Sequence, residues 1–153
     1  MNTTLDYSND TLVTGVQPTG NLHLGNLLGA IYPTSKLISS FKFSYLFIAD
    51  LHSLTVEYDP SIINKRRLEV AAHFLASGID ISKSALFLQS KNTDHLKLFS
   101  YLSSITPQGK LNHMIQFKEK TRQGNYSNLA LFSYPVLMAS DILLYQADYV
   151  PVG

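Results

Sequence analysis

The stretch FSYLFIAD (43–50) is apolar or aromatic at nearly every position until it ends on Asp50. A strand with one wet face alternates apolar and polar side chains. A run like this one is the pattern of a strand covered on both faces, as in parallel sheets. SALFLQS (84–90) reads as a second buried strand, and TLVTGV (11–16), β-branched and bounded by Gly15, as a third. Helical segments lie between them. GNLLGAIYPTSKLISS (25–40) has Asn26 near its start and Pro33 kinking or dividing it. DPSIINKRRLEVAAHFLASG (59–78) carries Asp59 as a cap, Pro60 at the first helical position and Gly78 as the stop. Helices are also predicted over 93–105, 110–122 and 133–147, with a loop at 123–128 and a last strand in DYVPV (148–152). This alternation predicts an α/β fold, a doubly wound, mostly parallel sheet with helices on both faces.

Composition narrows the function classes. The 153 residues suit one domain, read as 11–153 behind a loose polar lead-in at 1–10. Hydrophobic residues make up 45% and charged residues 15%, a globular balance. A net charge of +1 gives no electrostatic footprint for nucleic acid, although a local patch is compatible with it. There is no cysteine, which excludes disulfides and thiolate metal sites and is compatible with a cytosolic, hence cytoplasmic, protein. No apolar run approaches the roughly 20 residues of a membrane span. The start MNTTLDYSND lacks a signal-peptide pattern. The stop directly after the strand-like YVPV predicts a truncated piece.

In open α/β sheets, ligands bind at the carboxyl ends of the strands. TGVQPTGNLHLGN and ADLHSLT fall there, with SYPVLMASD on a neighbouring helix. Strand, glycine-containing loop and helix N-terminus together favour an anion, through free N–H groups and the helix dipole. Gly25 allows close approach, His23 can donate to a phosphate oxygen, and Gln17 can donate or accept. The same loop also reads as an ordinary turn between strand and helix. Tyr134, Met138, Asp141 and Tyr145 share one face by helical spacing. Asp141 points to solvent, caps a neighbouring loop or, if buried, needs a donor partner. His52 reads as a satisfied histidine at a core edge or as a ligand contact. Asp50 reads as a structural anchor, His73 and His113 as structural or solvated, and His95 as a helix-start residue without catalytic meaning.

HLGN (23–26), preceded by QPTG and followed by LLGA, resembles the His-Ile-Gly-His signature of class I aminoacyl-tRNA synthetases, in the form of the tryptophanyl-tRNA synthetases. FIADLHSLT (47–55), SGID (77–80), LFLQS (86–90), QFKEK (116–120) and YPVLMASDILLYQADYVPVG (134–153) resemble the same family in order. The resemblance implies the first half of a Rossmann-like catalytic domain. Its activity would be ATP-dependent activation of L-tryptophan and transfer to tRNA(Trp), with Mg²⁺ arriving on ATP, no protein-held metal, and a homodimer in the full-length protein. It implies that Gln17, His23, Gly25, Asn26 and Lys120, with Lys118 in reserve, serve ATP. His23, Asn26 and Lys120 would be the catalytic group. Asp141, Met138, Tyr134, His52 and Gln17 would serve tryptophan. At the fourth motif position Asn26 stands where the class consensus has His. The Lys-Met-Ser-Lys-Ser loop and the anticodon-reading helical domain are absent, so this piece alone is expected to be inactive. Tyrosyl-tRNA synthetase and a non-catalytic nucleotide-binding module are the competing readings.

Overall fold

The computed structural model describes residues 7–19, 32–57, 59–113 and 128–151. Strands β1 (Thr11–Val16), β2 (Phe43–Ile48) and β3 (Ala85–Leu88) form a parallel sheet in the order β1-β2-β3. The register sets Val16 opposite Ile48, and Ile48 opposite Leu88. On the far side of β1, Tyr149 pairs in parallel with Leu12. Val13 N–H donates to the Tyr149 carbonyl at 2.9 Å, and Tyr149 N–H donates to that of Thr11 at 3.1 Å. The chain therefore crosses from β3 back past β1, so the sheet is wound in both directions from β1. Among the described residues the last strand is a single bridge. Two residues on, Pro151 has no N–H with which to continue the ladder.

β2 meets the expectation of two covered faces. Leu46 and Ile48 pack on one side with Ile38, Val70, Phe74 and Ile79. Phe47 and Ala49 pack on the other with Val13, joined by Tyr45, Phe87, Tyr145 and Ala147. A Cβ at Gly15 would run into the Phe47 ring, so the glycine lets that ring lie against β1. β3 is less buried than the sequence predicts, because it ends the row of strands and its side chains are exposed or half-buried.

The helices are α1 (Tyr32–Leu37), α2 (Ile63–Ala76), α3 (Asp94–Ile105), α4 (Gln108–Asn112) and α5 (Leu129–Leu143). α4 begins two residues before the predicted 110, and α2 and α5 depart further from their predicted starts. Asp59 does not cap α2. Its carboxylate accepts from Ser61 N–H at 2.8 Å and its carbonyl from Ile62 N–H at 3.2 Å, so it closes a turn from which the helix leaves at Ile63. Gly78, at φ +83°, ends the segment as predicted. α5 begins four residues before the predicted 133. Asn128 caps it by accepting from Leu131 N–H at 2.7 Å, and its amide donates to the Leu54 carbonyl at 2.7 Å. That cap ties α5 to the short 3₁₀ turn His52–Thr55 after β2. Of the polar lead-in, residues 7–10 are docked. Tyr7 stacks on Phe41 at 4.6 Å, and the Asp10 carbonyl accepts from Lys42 N–H at 3.0 Å.

Candidate active site

Parallel register brings Gln17, Ala49 and Gln89 level at the carboxyl edge of the sheet, with Asp50 and Ser90 one residue further. Asp50 is buried. Its carboxylate accepts from Ser90 N–H at 2.9 Å, from the Ser90 hydroxyl at 2.6 Å and from the Arg67 guanidinium at 2.7 Å. It braces β2 against β3 and α2, the anchoring role read from sequence. Ser53 donates to the Asp50 carbonyl at 2.6 Å and Thr55 to the His52 carbonyl at 2.8 Å, which sets the turn that presents His52.

The second carboxylate at this edge is Asp141, on the last turns of α5 and 2% exposed. Three side chains from three elements converge on it. Gln89 Nε2 lies 2.9 Å from both oxygens. His52 Nε2 donates to Oδ2 at 2.7 Å and His95 Nδ1 to Oδ1 at 2.7 Å. With Nδ1 donating, a neutral His95 ring leaves Nε2 to accept from the Tyr145 hydroxyl at 2.9 Å, which itself accepts from Asn92 at 2.9 Å. Burial pushes the Asp141 carboxyl up. Hydrogen bonds from His52, His95 and Gln89, with the adjacent His52 ring, more than offset it and hold the group below the usual carboxylate range. Burial raises the Tyr145 hydroxyl against the lowering effect of Asn92, and the Asp141 charge adds to the rise. Among the described residues, the result is a buried carboxylate held by dipoles and imidazoles rather than by a lysine or arginine.

The residues predicted from sequence divide three ways. His52 and Asp141 are in direct contact. Tyr134 lines a separate apolar cavity of about 290 Å³ with Leu51, Leu54, Thr55, Leu96, Phe99 and Leu137, and burial raises its hydroxyl. Met138 is 45% exposed, and Gln17 is exposed just beyond β1. The described residues therefore do not enclose Met138, Tyr134 and Asp141 in one pocket. His23, Gly25, Asn26, Lys118 and Lys120 lie outside the described residues. A larger apolar cavity, about 500 Å³ between α3, α4 and α5, is lined by Phe99, Leu111, Phe132 and Val136 among others, with no titratable side chain among its described lining residues. His95 and Gln89, both 0% exposed, are central to the Asp141 cluster and were missed as site residues. His95 stands at the start of α3, as the sequence predicts, and is buried there against Asp141 and Tyr145. Among the described residues no group of three or more His, Asp or Glu side chains is arranged to hold a metal ion.

A parallel sheet wound both ways from β1, with polar groups gathered at its carboxyl edge, is the doubly wound α/β architecture, in which ligands bind at the carboxyl ends of the strands. A family model described as tRNA synthetases class I (W and Y) matches residues 8–153, and the chain belongs to that family. It is 47% identical over 143 residues to the tryptophan--tRNA ligase of Prochlorococcus marinus subsp. pastoris, covering 93% of this chain and 42% of the relative. It is 48% identical over 144 residues to the chloroplastic/mitochondrial tryptophan--tRNA ligase of Arabidopsis thaliana, covering 93% and 35%. Among solved structures it resembles tryptophanyl-tRNA synthetase from Campylobacter jejuni complexed with ADP and tryptophan. There the TM-score is 0.87 at 40% identity, covering 94% of this chain and 44% of that one. The chain thus spans less than half the length of these relatives.

Proposed function

We propose that this chain supplies the tryptophan site and the first ATP-binding elements of a tryptophan--tRNA ligase. In the complete protein the tryptophan carboxylate attacks the α-phosphorus of ATP and pyrophosphate leaves. The aminoacyl group then passes from the adenylate to tRNA(Trp). Such chemistry depends on positioning and on stabilising charge at the transferring group. Gln17, His23, Gly25, Asn26 and Lys120 serve ATP, which carries Mg²⁺ in as part of the substrate. Asp141, Met138, Tyr134 and His52 serve tryptophan. The observation that carries the reading is the buried Asp141, its carboxyl held below the usual range with no lysine or arginine beside it among the described residues. An indole has one N–H donor and no acceptor, so an anionic acceptor in an apolar setting suits it. Each Asp141 oxygen already accepts from the protein's own donors, and on this proposal an indole N–H replaces one of them. A phenol could also donate to this carboxylate. The similarity to tryptophan--tRNA ligases at 47% and 48% identity favours tryptophan over tyrosine, and a ligase over a passive nucleotide-binding module.

We place the complete protein in the compartment where translation occurs, as a homodimer. Among the described residues no helix is long and apolar enough to cross a membrane. The deciding experiment is pyrophosphate exchange in the complete protein with tryptophan or tyrosine. Exchange should depend on tryptophan, and His23→Ala should lower it by about 10²-fold, the effect of losing one transition-state donor. Exchange driven equally by tyrosine would remove tryptophan as the substrate, and nucleotide binding without exchange would leave the binding-module reading.

A further inference from the structure

The three donors on Asp141 differ in how firmly each is held. Gln89 is 0% exposed, bridges both oxygens, and uses its own Oε1 to accept from Leu51 N–H at 3.1 Å. The His95 side chain is 0% exposed and tied at both ring nitrogens, to Asp141 and to Tyr145, with Asn92 behind. Phe47 and Phe87 pack on its ring at 5.6 and 6.1 Å. Its backbone carbonyl accepts from Ser140 on α5 at 3.1 Å, which couples His95 to the helix that carries Asp141. His52 differs. Its side chain is 9% exposed, it sits on a single 3₁₀ turn, and it reaches Asp141 through Nε2.

We propose that His95 is a positioning residue that locks the Oδ1 side of Asp141, and that His52 is the donor that yields Oδ2 to an aromatic N–H of the substrate. This rests on the reading of Asp141 as the ligand acceptor. Releasing Gln89 would strip both oxygens and unseat Leu51. Releasing His95 would strand a fully buried ring nitrogen and disturb the Tyr145 hydroxyl. A buried polar group left unpaired carries its full desolvation penalty. Releasing His52 breaks one bond at the most accessible of the three side chains. His95 and Gln89 on Oδ1 then keep the carboxylate in place while its second oxygen changes partner.

The test compares, in the complete protein, the affinity for L-tryptophan with that for its analogue in which sulfur replaces the ring N–H. The parent should prefer tryptophan by about tenfold or more, the scale of a hydrogen bond to a charged acceptor. His95→Leu should bring the two affinities within about threefold, because the acceptor is no longer aimed. Tyr145→Phe, which keeps the ring and removes the hydroxyl behind His95, should lower the preference by about threefold. It carries the test if His95→Leu does not fold. His52→Ala, freed of the bond the ligand displaces, should raise the preference by about threefold. Ring-nitrogen NMR of the parent should show tryptophan moving the His52 Nε2 signal and leaving that of His95 Nδ1 in place. A parent that prefers neither ligand overturns the Asp141 reading and this assignment with it. A parent that discriminates while His95→Leu and Tyr145→Phe retain the same preference overturns the role of His95 alone. Movement of the His95 signal with His52 still overturns the choice of His52 as the yielding donor.

Discussion

Asp50 and Asp141 are both buried carboxylates at the same edge of the sheet, yet they are built differently. Asp50 has a permanent cation, Arg67 at 2.7 Å, and a backbone N–H with a hydroxyl from one residue, Ser90. Its charge is neutralised and its geometry is internal to the scaffold. Asp141 has no such cation among the described residues. An amide and two imidazoles hold it, all from side chains, on three separate elements. A carboxylate paired with arginine has little left to offer a ligand. One held by dipoles and titratable rings stays an active acceptor, at the expense of a desolvated charge. Adjacent residues serve the two sites, for Gln89 turns to Asp141 and Ser90 to Asp50.

The largest effect is expected at Asp141. Asp141→Ala leaves three buried donors facing an empty space, and each unpaired group is costly. A loss of about 3 kcal/mol in stability, together with at least tenfold weaker tryptophan binding, is expected from removing one member of a buried charged cluster. Asp141→Asn should do less harm, since its amide oxygen can still accept. Chemical denaturation beside tryptophan titration checks both. Parent-like tryptophan binding in folded Asp141→Ala would make this carboxylate as structural as Asp50.

Asp50→Ala should come next, and in stability alone. It takes the carboxylate from the Arg67 guanidinium, which keeps Asn64 at 2.9 Å and whose Nε is already buried without a partner among the described residues, and about 2–3 kcal/mol is the expected loss. The Asp50 side-chain donors are not shared with Asp141, so the KM for tryptophan should stay within about threefold of the parent. A KM rise matching that of Asp141→Ala would erase the distinction between scaffold and site.

What was legible in the sequence follows the same division. β1 and β2 could be read because strand burial writes itself into consecutive residues, and Asp50 because it directly ends such a strand. The start of α5 was misplaced because Asn128 looks like one more loop polar, while its capping role depends on Leu131 N–H and the distant Leu54 carbonyl. β3 seemed fully covered because local apolarity does not report position in a sheet. His95 was undervalued for a related reason. Its meaning lies in Asp141 and Tyr145, 46 and 50 residues away, and no local pattern links them. LFLQS contributed to the family resemblance, yet nothing in one sequence marks Gln89 as the donor bridging a carboxylate 52 residues on.

Acid should sharpen the contrast. The folded-state Asp141 value lies below its unfolded one, near about 3.9. The stability it contributes is therefore complete above about pH 4 and is lost as pH falls through the lowered folded value. Melts of the parent and of Asp141→Asn should differ by a constant amount above about pH 5 and converge below about pH 4. A gap that widens on acidification would mean that the folded state does not favour the ionised carboxylate.

The smallest effect is expected where the two sites come closest. Ser90→Ala removes one hydroxyl from Asp50 but leaves the Ser90 N–H and Arg67 in place. One hydrogen bond of three is lost and no buried charge is stranded, so about 1 kcal/mol of stability should go. Ser90 follows Gln89 directly on the same short turn, so any slackening of that turn would reach Asp141 through Gln89. If the bracket from the Asp50 carboxylate to Ser90 N–H suffices to hold the turn, tryptophan affinity will not change. The paired variant is Gln89→Leu, which keeps the bulk and removes both the amide donor to Asp141 and the acceptor for Leu51. It should weaken tryptophan binding by about tenfold. Titration of both variants decides the matter. Comparable losses of affinity would mean that the two carboxylates form one cooperative unit. A loss confined to Gln89→Leu would mean that the sheet edge separates support from recognition between two consecutive residues.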